Sequence, residues 1–325
     1  MKAVYTICTP SHIAEAKTLA ASALEHNPGV AVFIFLFNGD AFAREILSRF
    51  GPARTIIIEE MQLEHYAAMK ARYNAFELSC ALKPYLADYL INQEGAEQVI
   101  YFDADIMVTG SLHNVWEDLR SKDLVLTAHV NHTAIWPDDA IATEARRNIE
   151  RNMLRGGAFN GGFFAVNNTP GVHQFLSWWK NVLLDRGYNK PSKGLFVDQL
   201  WLMLTPVLFS DLLMISKHPG YNMAYWNLDE RKLVPAEKGL TVHTADGGHA
   251  APLIFFHFSG YKLQQENVIS LYHPGMYTFE RRPELRALFA TYSAQLRQHG
   301  YDVIKERYAP AKKKWARFFI PGKKG

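Results

Sequence analysis

Residues 98–105, Gln-Val-Ile-Tyr-Phe-Asp-Ala-Asp (QVIYFDAD), form an apolar run that stops abruptly on two carboxylates one residue apart. The run has the length and residue types of a buried strand. Ligands of open α/β sheets bind at the carboxyl ends of strands, so Asp103 and Asp105 stand where chemistry usually happens. Residues i and i+2 of an extended chain point the same way, so both carboxylates can face one ion. Hard oxygen ligands suit Mg2+ or Mn2+. Such an ion would bridge two phosphates and neutralise charge on a leaving diphosphate, and the small Ala104 between them leaves room for a ribose. A solvated acidic turn would show the same two aspartates.

Upstream, the chain alternates strand and helix. Ala3–Cys8 reads as a buried strand, and Ser11 is expected to cap a helix running to His26 with Ala16, Leu19, Ala20 and Leu24 on one face. Val30–Phe37 is apolar on both faces, as a central parallel strand must be. A helix over 41–50 and a strand over 54–58 follow. This β-α-β-α-β order implies a mostly parallel sheet covered on both sides. A helix is expected over 74–90, bent or started at Pro84.

Downstream the pattern is less regular. Residues 158–167 (AFNGGFFAVN) read as a strand interrupted by glycines, though Asn160-Gly161-Gly162 would also suit a turn. Helices are expected over 171–185 and 196–204, and a buried strand over 253–258 that ends near His257. The last helix, 283–299, carries the stripe Leu285, Leu288, Phe289, Tyr292 and Leu296. These elements divide the chain into a catalytic domain over 1–275 and a helical extension over 276–325.

Composition narrows the function classes. The chain has 325 residues, 48% hydrophobic and 21% charged, enough for one large α/β domain. Its two cysteines, Cys8 and Cys80, form no CxxC pair, which excludes a zinc knuckle or dithiol site. The net charge is +3, yet the last 21 residues hold eight basic residues and one acid. The rest of the chain is therefore net negative and is not a nucleic-acid binder. No apolar stretch approaches the ~20 residues that span a bilayer, and no leader is read at the start. A cytoplasmic protein, peripheral at the inner face of the membrane, is expected. In the tail, Lys312, Lys313, Lys314, Arg317, Lys323 and Lys324 interleave with Trp315, Phe318, Phe319 and Ile320. That pattern suits an anionic leaflet.

His257 precedes Ser259-Gly260, where backbone can approach a ligand. An imidazole completing a site of two carboxylates is sensible for Mn2+, and Lys262 can pair with a phosphate oxygen. The aromatic-amide run Tyr221, Asn222, Tyr225, Trp226 and Asn227 suits either packing or the faces and hydroxyls of a donor or acceptor sugar.

Taken in order, VIYFDADIMVTGSL, FNGGFFAVN, VDQLW and FHFSGYK resemble the motifs of glycosyltransferases of the family 8 type. That group includes bacterial lipopolysaccharide galactosyl- and glucosyltransferases and glycogenin. The resemblance covers roughly residues 1–265. It implies the GT-A nucleotide-diphospho-sugar transferase fold, Rossmann-like with a mostly parallel sheet. It also implies transfer of a sugar from a nucleotide diphosphate, with a UDP-sugar donor, retention of configuration and a glycan or lipid-linked acceptor in bacterial surface polysaccharide synthesis. Asp103, Asp105 and His257 match the family's metal ligands. Thr6, Cys8 and Thr9 match the segment holding uracil and ribose. Lys83 takes the place where the family commonly has an arginine contacting the donor sugar region. Asn160 and Gly161 match the pair lining the sugar pocket, and Asp198 and Gln199 the pair near the anomeric carbon. Ala104 falls within the donor-binding DxD. Gly260 and Lys262 match the glycine and phosphate-binding lysine, although Lys262 comes one position early. For an inverting reaction, Asp198, Asp138 and Asp139 are the candidate bases.

Three other readings compete. A haloacid dehalogenase-like phosphatase would use the DxD as nucleophile and acid/base, but on its first strand. A nucleotidyltransferase would want a Gly-rich basic loop where CTPSHIAEA stands. A catalytically silent sugar-binding protein would not need Asp103, Asp105 and His257 together.

Overall fold

The computed structural model describes residues 1–132, 140–237, 239–265 and 267–309. The expected alternation opens the chain: β1 (Lys2–Cys8), α1 (Ile13–His26), β2 (Ala31–Leu36), α2 (Ala41–Ser48) and β3 (Arg54–Ile57). Two helices follow, α3 (Tyr66–Arg72) and α4 (Ala75–Asn92), and then β4 (Gln98–Phe102) and the short β5 (Ile106–Val108). The middle of the chain supplies α5 (His113–Ser121), β6 (Leu124–Ala128), α6 (Ala140–Gly156), β7 (Phe159–Asn167) and α7 (Pro170–Arg186). Among the described residues the main sheet has seven strands. β1, β2 and β3 pair in parallel, and β4 lies parallel on the other side of β1. β7 runs antiparallel between β4 and β6. A far-edge strand, β10 (Leu213–Ser216), is parallel to β6. This is the mostly parallel, doubly covered sheet that the sequence implied.

The period of two along each strand builds two cores. Val4, Ile34 and Ile100 join α1 on one face of the sheet. Tyr5, Phe33, Phe35 and Tyr101 join Leu82, Leu86, Phe175 and Trp179 on the other. Each of these buried apolar side chains contributes about 1.5–3 kcal/mol relative to exposure.

Several expectations are corrected. Ser11 does not cap α1; a 3-10 turn, Pro10–His12, leads into the helix without a side-chain cap. Pro84 neither starts nor ends α4. Asn74 caps the helix reciprocally with Glu77, and it runs through Pro84 for 18 residues. The helix expected over 196–204 is absent. Instead β8 (Asn189–Lys190) pairs with β9 (Leu195–Phe196), Val197 takes a φ of 41°, and a 3-10 turn (Trp201–Leu204) leads into α8 (Thr205–Leu208). Left-handed backbone at Gly194 and Val197 breaks the helical path there.

A three-stranded antiparallel sheet, β11 (Arg231–Pro235), β12 (Leu240–Thr244) and β13 (Ala250–Pro252), precedes β14 (Phe255–His257). β14 pairs with β5 outside the main sheet. The C-terminal helices α9 (Arg286–Gln298) and α10 (Tyr301–Arg307) bury Leu288, Phe289, Tyr292, Leu296 and Ile304 in the core that holds α1. No helix among the described residues is long and apolar enough to cross a membrane. The basic-aromatic stretch from Lys312 onward and the candidate bases Asp138 and Asp139 lie outside the described residues.

Candidate active site

Strand pairing carries the two carboxylates to the histidine. β4 hands the chain to a turn in which the Asp103 N–H donates to the Gly162 carbonyl (2.8 Å) and the Ile106 N–H donates to the Asp103 carbonyl (3.1 Å). β5 then runs back antiparallel to β14, with Ile106 opposite His257, and the Phe258 N–H donates to the Asp105 carbonyl (2.9 Å). Asp105 Oδ1 therefore lies 3.0 Å from His257 Nε2. One ligand atom each from Asp103, Asp105 and His257 lie within 4.8 Å of one another. Burial pushes the Asp105 carboxyl up, but the His257 imidazole outweighs it and holds the group below its usual range. Burial likewise lowers His257, and Asp105 overcomes it, so the imidazole sits above its ordinary value.

Lys83 enters from α4, on the other side of Asp103. It is 2% exposed, and its ammonium donates to the Gly161 carbonyl (2.8 Å) and to Asp198 Oδ2 (2.9 Å). Asp103 Oδ1 is 3.3 Å away. Burial works against the charge, but Asp103 and Asp198 dominate and hold Lys83 protonated, well above its ordinary range. Asp198 is 1% exposed and committed to this ion pair.

The FNGG segment of β7 is shaped by contact. A Cβ on Gly161 would lie 2.6 Å from Asp198 Oδ2. A Cβ on Gly162 would meet His257 Cε1 at 2.5 Å, Asn160 Oδ1 at 2.8 Å and Asp103 Oδ2 at 2.9 Å. Glycine is needed at both positions for space, not for backbone angle. The Asn160 amide oxygen accepts from the Gly162 N–H (3.1 Å) and from Asn222 Nδ2 (3.0 Å). Gln199 Oε1 accepts from the Gly161 N–H (3.2 Å), and Gln199 Nε2 donates to the Gly156 carbonyl (2.8 Å). Asn160, Gly161, Lys83, Asp198, Gln199, Asp103, Asp105 and His257 thus form one connected constellation drawn from five parts of the chain.

The remaining candidates are more dispersed. Thr6 and Cys8 are buried at the end of β1, where burial pushes the Cys8 thiol up and the Thr6 hydroxyl has no partner. Thr9 is half-buried beyond them, 3.0 Å from His12 Nδ1. Ala104 is half-buried between the aspartates. Gly260 takes a φ of +74° against Ser270 and Tyr272, and Lys262 is exposed. Of the aromatic-amide run, Tyr221 stacks in the core on Phe255, and Asn227 is fully buried, donating to the Asn222 and His129 carbonyls. Trp226 lies edge-on to His257 at 5.1 Å, and Tyr225 packs against Tyr272 and Tyr277.

Sequence reading missed Gly162, Tyr101 and His129. Tyr101 carried a signal: two residues before Asp103, it lies on the same strand face. Its hydroxyl donates to Asp103 Oδ1. His129, whose Nδ1 is 3.0 Å from the Ala158 carbonyl and which burial lowers to about 4, follows β6, which local patterning did not reveal.

The donor set fits a hard divalent cation. Two carboxylates and one imidazole bring ligand atoms within 4.8 Å of one another, and the buried His257 Nδ1 has no partner.

A family model described as Glycosyl transferase family 8 matches residues 6–173. The uncharacterized protein YfnF of Bacillus subtilis (strain 168) is 24% identical over 271 residues, covering 82% of this chain and 84% of the relative. The uncharacterized protein YfnD of the same organism is 23% identical over 301 residues, covering 90% and 88%. Among solved structures, the galactosyltransferase LgtC in complex with donor and acceptor sugar analogs is 14% identical with a TM-score of 0.48, covering 88% of this chain and 95% of that one. Apo mouse xyloside xylosyltransferase 1 is 12% identical with a TM-score of 0.45, covering 79% and 97%.

Proposed function

The chain belongs to glycosyl transferase family 8 and is a glycosyltransferase; from that premise we propose that it moves a sugar from a UDP-sugar to a hydroxyl of a glycan or lipid-linked glycan, with retention and with Mn2+ or Mg2+ as cofactor. The observation that carries this reading is the convergence of Asp103, Asp105 and His257 beside the buried Lys83–Asp198 pair.

A divalent cation held by those three residues would supply charge neutralisation at the leaving diphosphate. Lys83 fixes Asp198 and shares Asp103, so the negative charge around the ion site is partly balanced before substrate arrives. The strand end of β1, with Thr6, Cys8 and Thr9, takes the nucleoside in this reading. Gly260 and Lys262 take the phosphates, and Asn160, Gly161 and Gln199 face the sugar. Asp198 is bonded to Lys83. Retention with the leaving phosphate as proton acceptor needs no dedicated protein base. The bond from the anomeric carbon to the diphosphate breaks, the bond to the acceptor oxygen forms, and the acceptor proton passes to the leaving phosphate.

The phosphatase alternative requires its DxD on the first strand of the sheet, whereas here it follows β4. A donor screen tests the proposal. One UDP-sugar should be hydrolysed slowly without acceptor, faster with Mn2+, and not in EDTA. Metal-independent turnover would contradict the reading. The acceptor belongs to bacterial surface polysaccharide synthesis in this reading, and the basic-aromatic tail would dock the enzyme on an anionic inner leaflet. Liposome sedimentation of the full chain and of a form stopped after Pro310 tests the docking. Binding should need anionic lipid, weaken with salt and vanish on truncation.

A further inference from the structure

The two carboxylate oxygens of Asp103 have different surroundings. The Tyr101 hydroxyl donates to Oδ1, and the Lys83 ammonium lies 3.3 Å from the same atom. Oδ2 lies beside Gly162, where an added Cβ would be 2.9 Å from it and 2.5 Å from His257 Cε1. Tyr101 itself cannot drift. It is 2% exposed, its ring stacks on Phe164 at 5.3 Å, and Tyr5 packs against it at 5.0 Å.

We propose that Tyr101 is a positioning residue for metal binding: its hydroxyl holds Asp103 Oδ1 away from the ion, so that Asp103 offers Oδ2 alone and does not collapse onto Lys83. The inference rests on the metal reading of Asp103, Asp105 and His257. The Lys83 ammonium is already divided between Asp103 and Asp198. With the phenol gone, Oδ1 loses a donor, and the ammonium is the nearest group able to replace it. A carboxylate drawn toward Lys83 is a poorer ligand. Partners that orient a ligating carboxylate typically change metal affinity 10–100-fold when removed.

Tyr101→Phe keeps the ring stack and deletes only the hydroxyl. Tyr5→Phe is the control, because the Tyr5 hydroxyl is equally buried but donates to the Lys83 carbonyl (2.6 Å) and touches no ligand. Free Mn2+ is counted by electron paramagnetic resonance in titrations of the full chain without nucleotide. Thermal melts of the metal-free proteins run alongside. The expected result is a Mn2+ dissociation constant raised about 10–100-fold by Tyr101→Phe and unchanged by Tyr5→Phe. Saturating Mn2+ should restore the transfer rate, which a folding defect would not allow. Wild-type affinity in Tyr101→Phe, or equal weakening by both variants, overturns the proposal while the metal reading stands. A wild-type chain that binds no Mn2+ overturns both.

Discussion

Two buried ion clusters in this chain are built differently. Around Lys83, one buried ammonium serves Asp103 and Asp198, and Asp105 nearby pairs with the His257 imidazole. Around Arg146, two buried guanidiniums meet the buried Glu230, the half-buried Asp229 and, at the surface, Glu150. Arg146 bonds Asp229 at 2.9 Å and approaches Glu230 at 3.7 Å, while Arg231 pairs with Glu230 at 3.3 Å. Backbone completes that second cluster. Glu230 accepts from the Asn131 and His132 N–H groups at 3.0 Å, and Arg231 donates to the Pro219 and Tyr221 carbonyls. The Arg146 cluster is held by carboxylates and by backbone together, so it ties α6 to residues 229–231. The Lys83 cluster has more carboxylates than cations. Unbalanced buried charge is expensive unless a partner completes it. Three carboxylates around one ammonium and one imidazole suit the cation proposed above.

The largest expected effect breaks the site and spares the scaffold. Asp103→Asn or Asp105→Asn removes a metal-ligating charge worth several kcal/mol at the leaving group. Transfer should fall on the order of a thousandfold, with a melting temperature close to wild type, read by transfer assay and calorimetry. Next comes the converse. Arg146→Met leaves Asp229 and Glu230 under-compensated, a loss of about 3–5 kcal/mol in urea unfolding, with Mn2+ affinity retained by what remains folded. Gly162→Ala is intermediate. Its Cβ would press on His257 and Asp103 Oδ2, at an overpacking cost of about 1–3 kcal/mol. Urea unfolding should show that cost, and Mn2+ titration should show weaker binding, because the Cβ presses on two of the proposed ligands; wild-type affinity would mean that Asp103 and His257 do not ligate the ion.

The smallest effect lies remote from both clusters. Burial and, secondarily, Lys17 lower the His299 imidazole from 6.5 to about 4, and its Nδ1 lies 2.8 Å from the Thr18 hydroxyl. The unfolded chain therefore takes up this proton first as pH falls, and stability declines between about pH 6.5 and 4. His299→Gln should flatten that decline by roughly 2 °C in melting temperature, without changing Mn2+ affinity.

Much of the fold was legible because the first 58 residues alternate cleanly between apolar strands and amphipathic helices. The three metal-ligand candidates were equally visible, since each sits at the end of a strongly apolar run. β6 and β10 were not, because strands of five and four residues offer too little period to separate them from loops. The partnership of Lys83 with Asp198 had no local signal at all: the two lie 115 residues apart, and Asp198 falls inside the run expected as a helix over 196–204. Its real setting follows a strand hairpin and a left-handed Val197, which no helical pattern announces. The aromatic-amide run was ambiguous for a different reason. Asn222 and Asn227 are buried yet hydrogen-bonded, a condition that depends on partners far away in sequence.

The central claim is that Asp103, Asp105 and His257 hold a divalent cation through which this chain binds its nucleotide. The most direct test is UDP binding by isothermal titration calorimetry, in Mn2+ and then in EDTA, on wild type and on Asp105→Asn. UDP should bind wild type far more tightly with Mn2+ than in EDTA, and the metal should make little difference to the variant. Equal UDP affinity in Mn2+ and in EDTA on the wild-type chain would contradict the account.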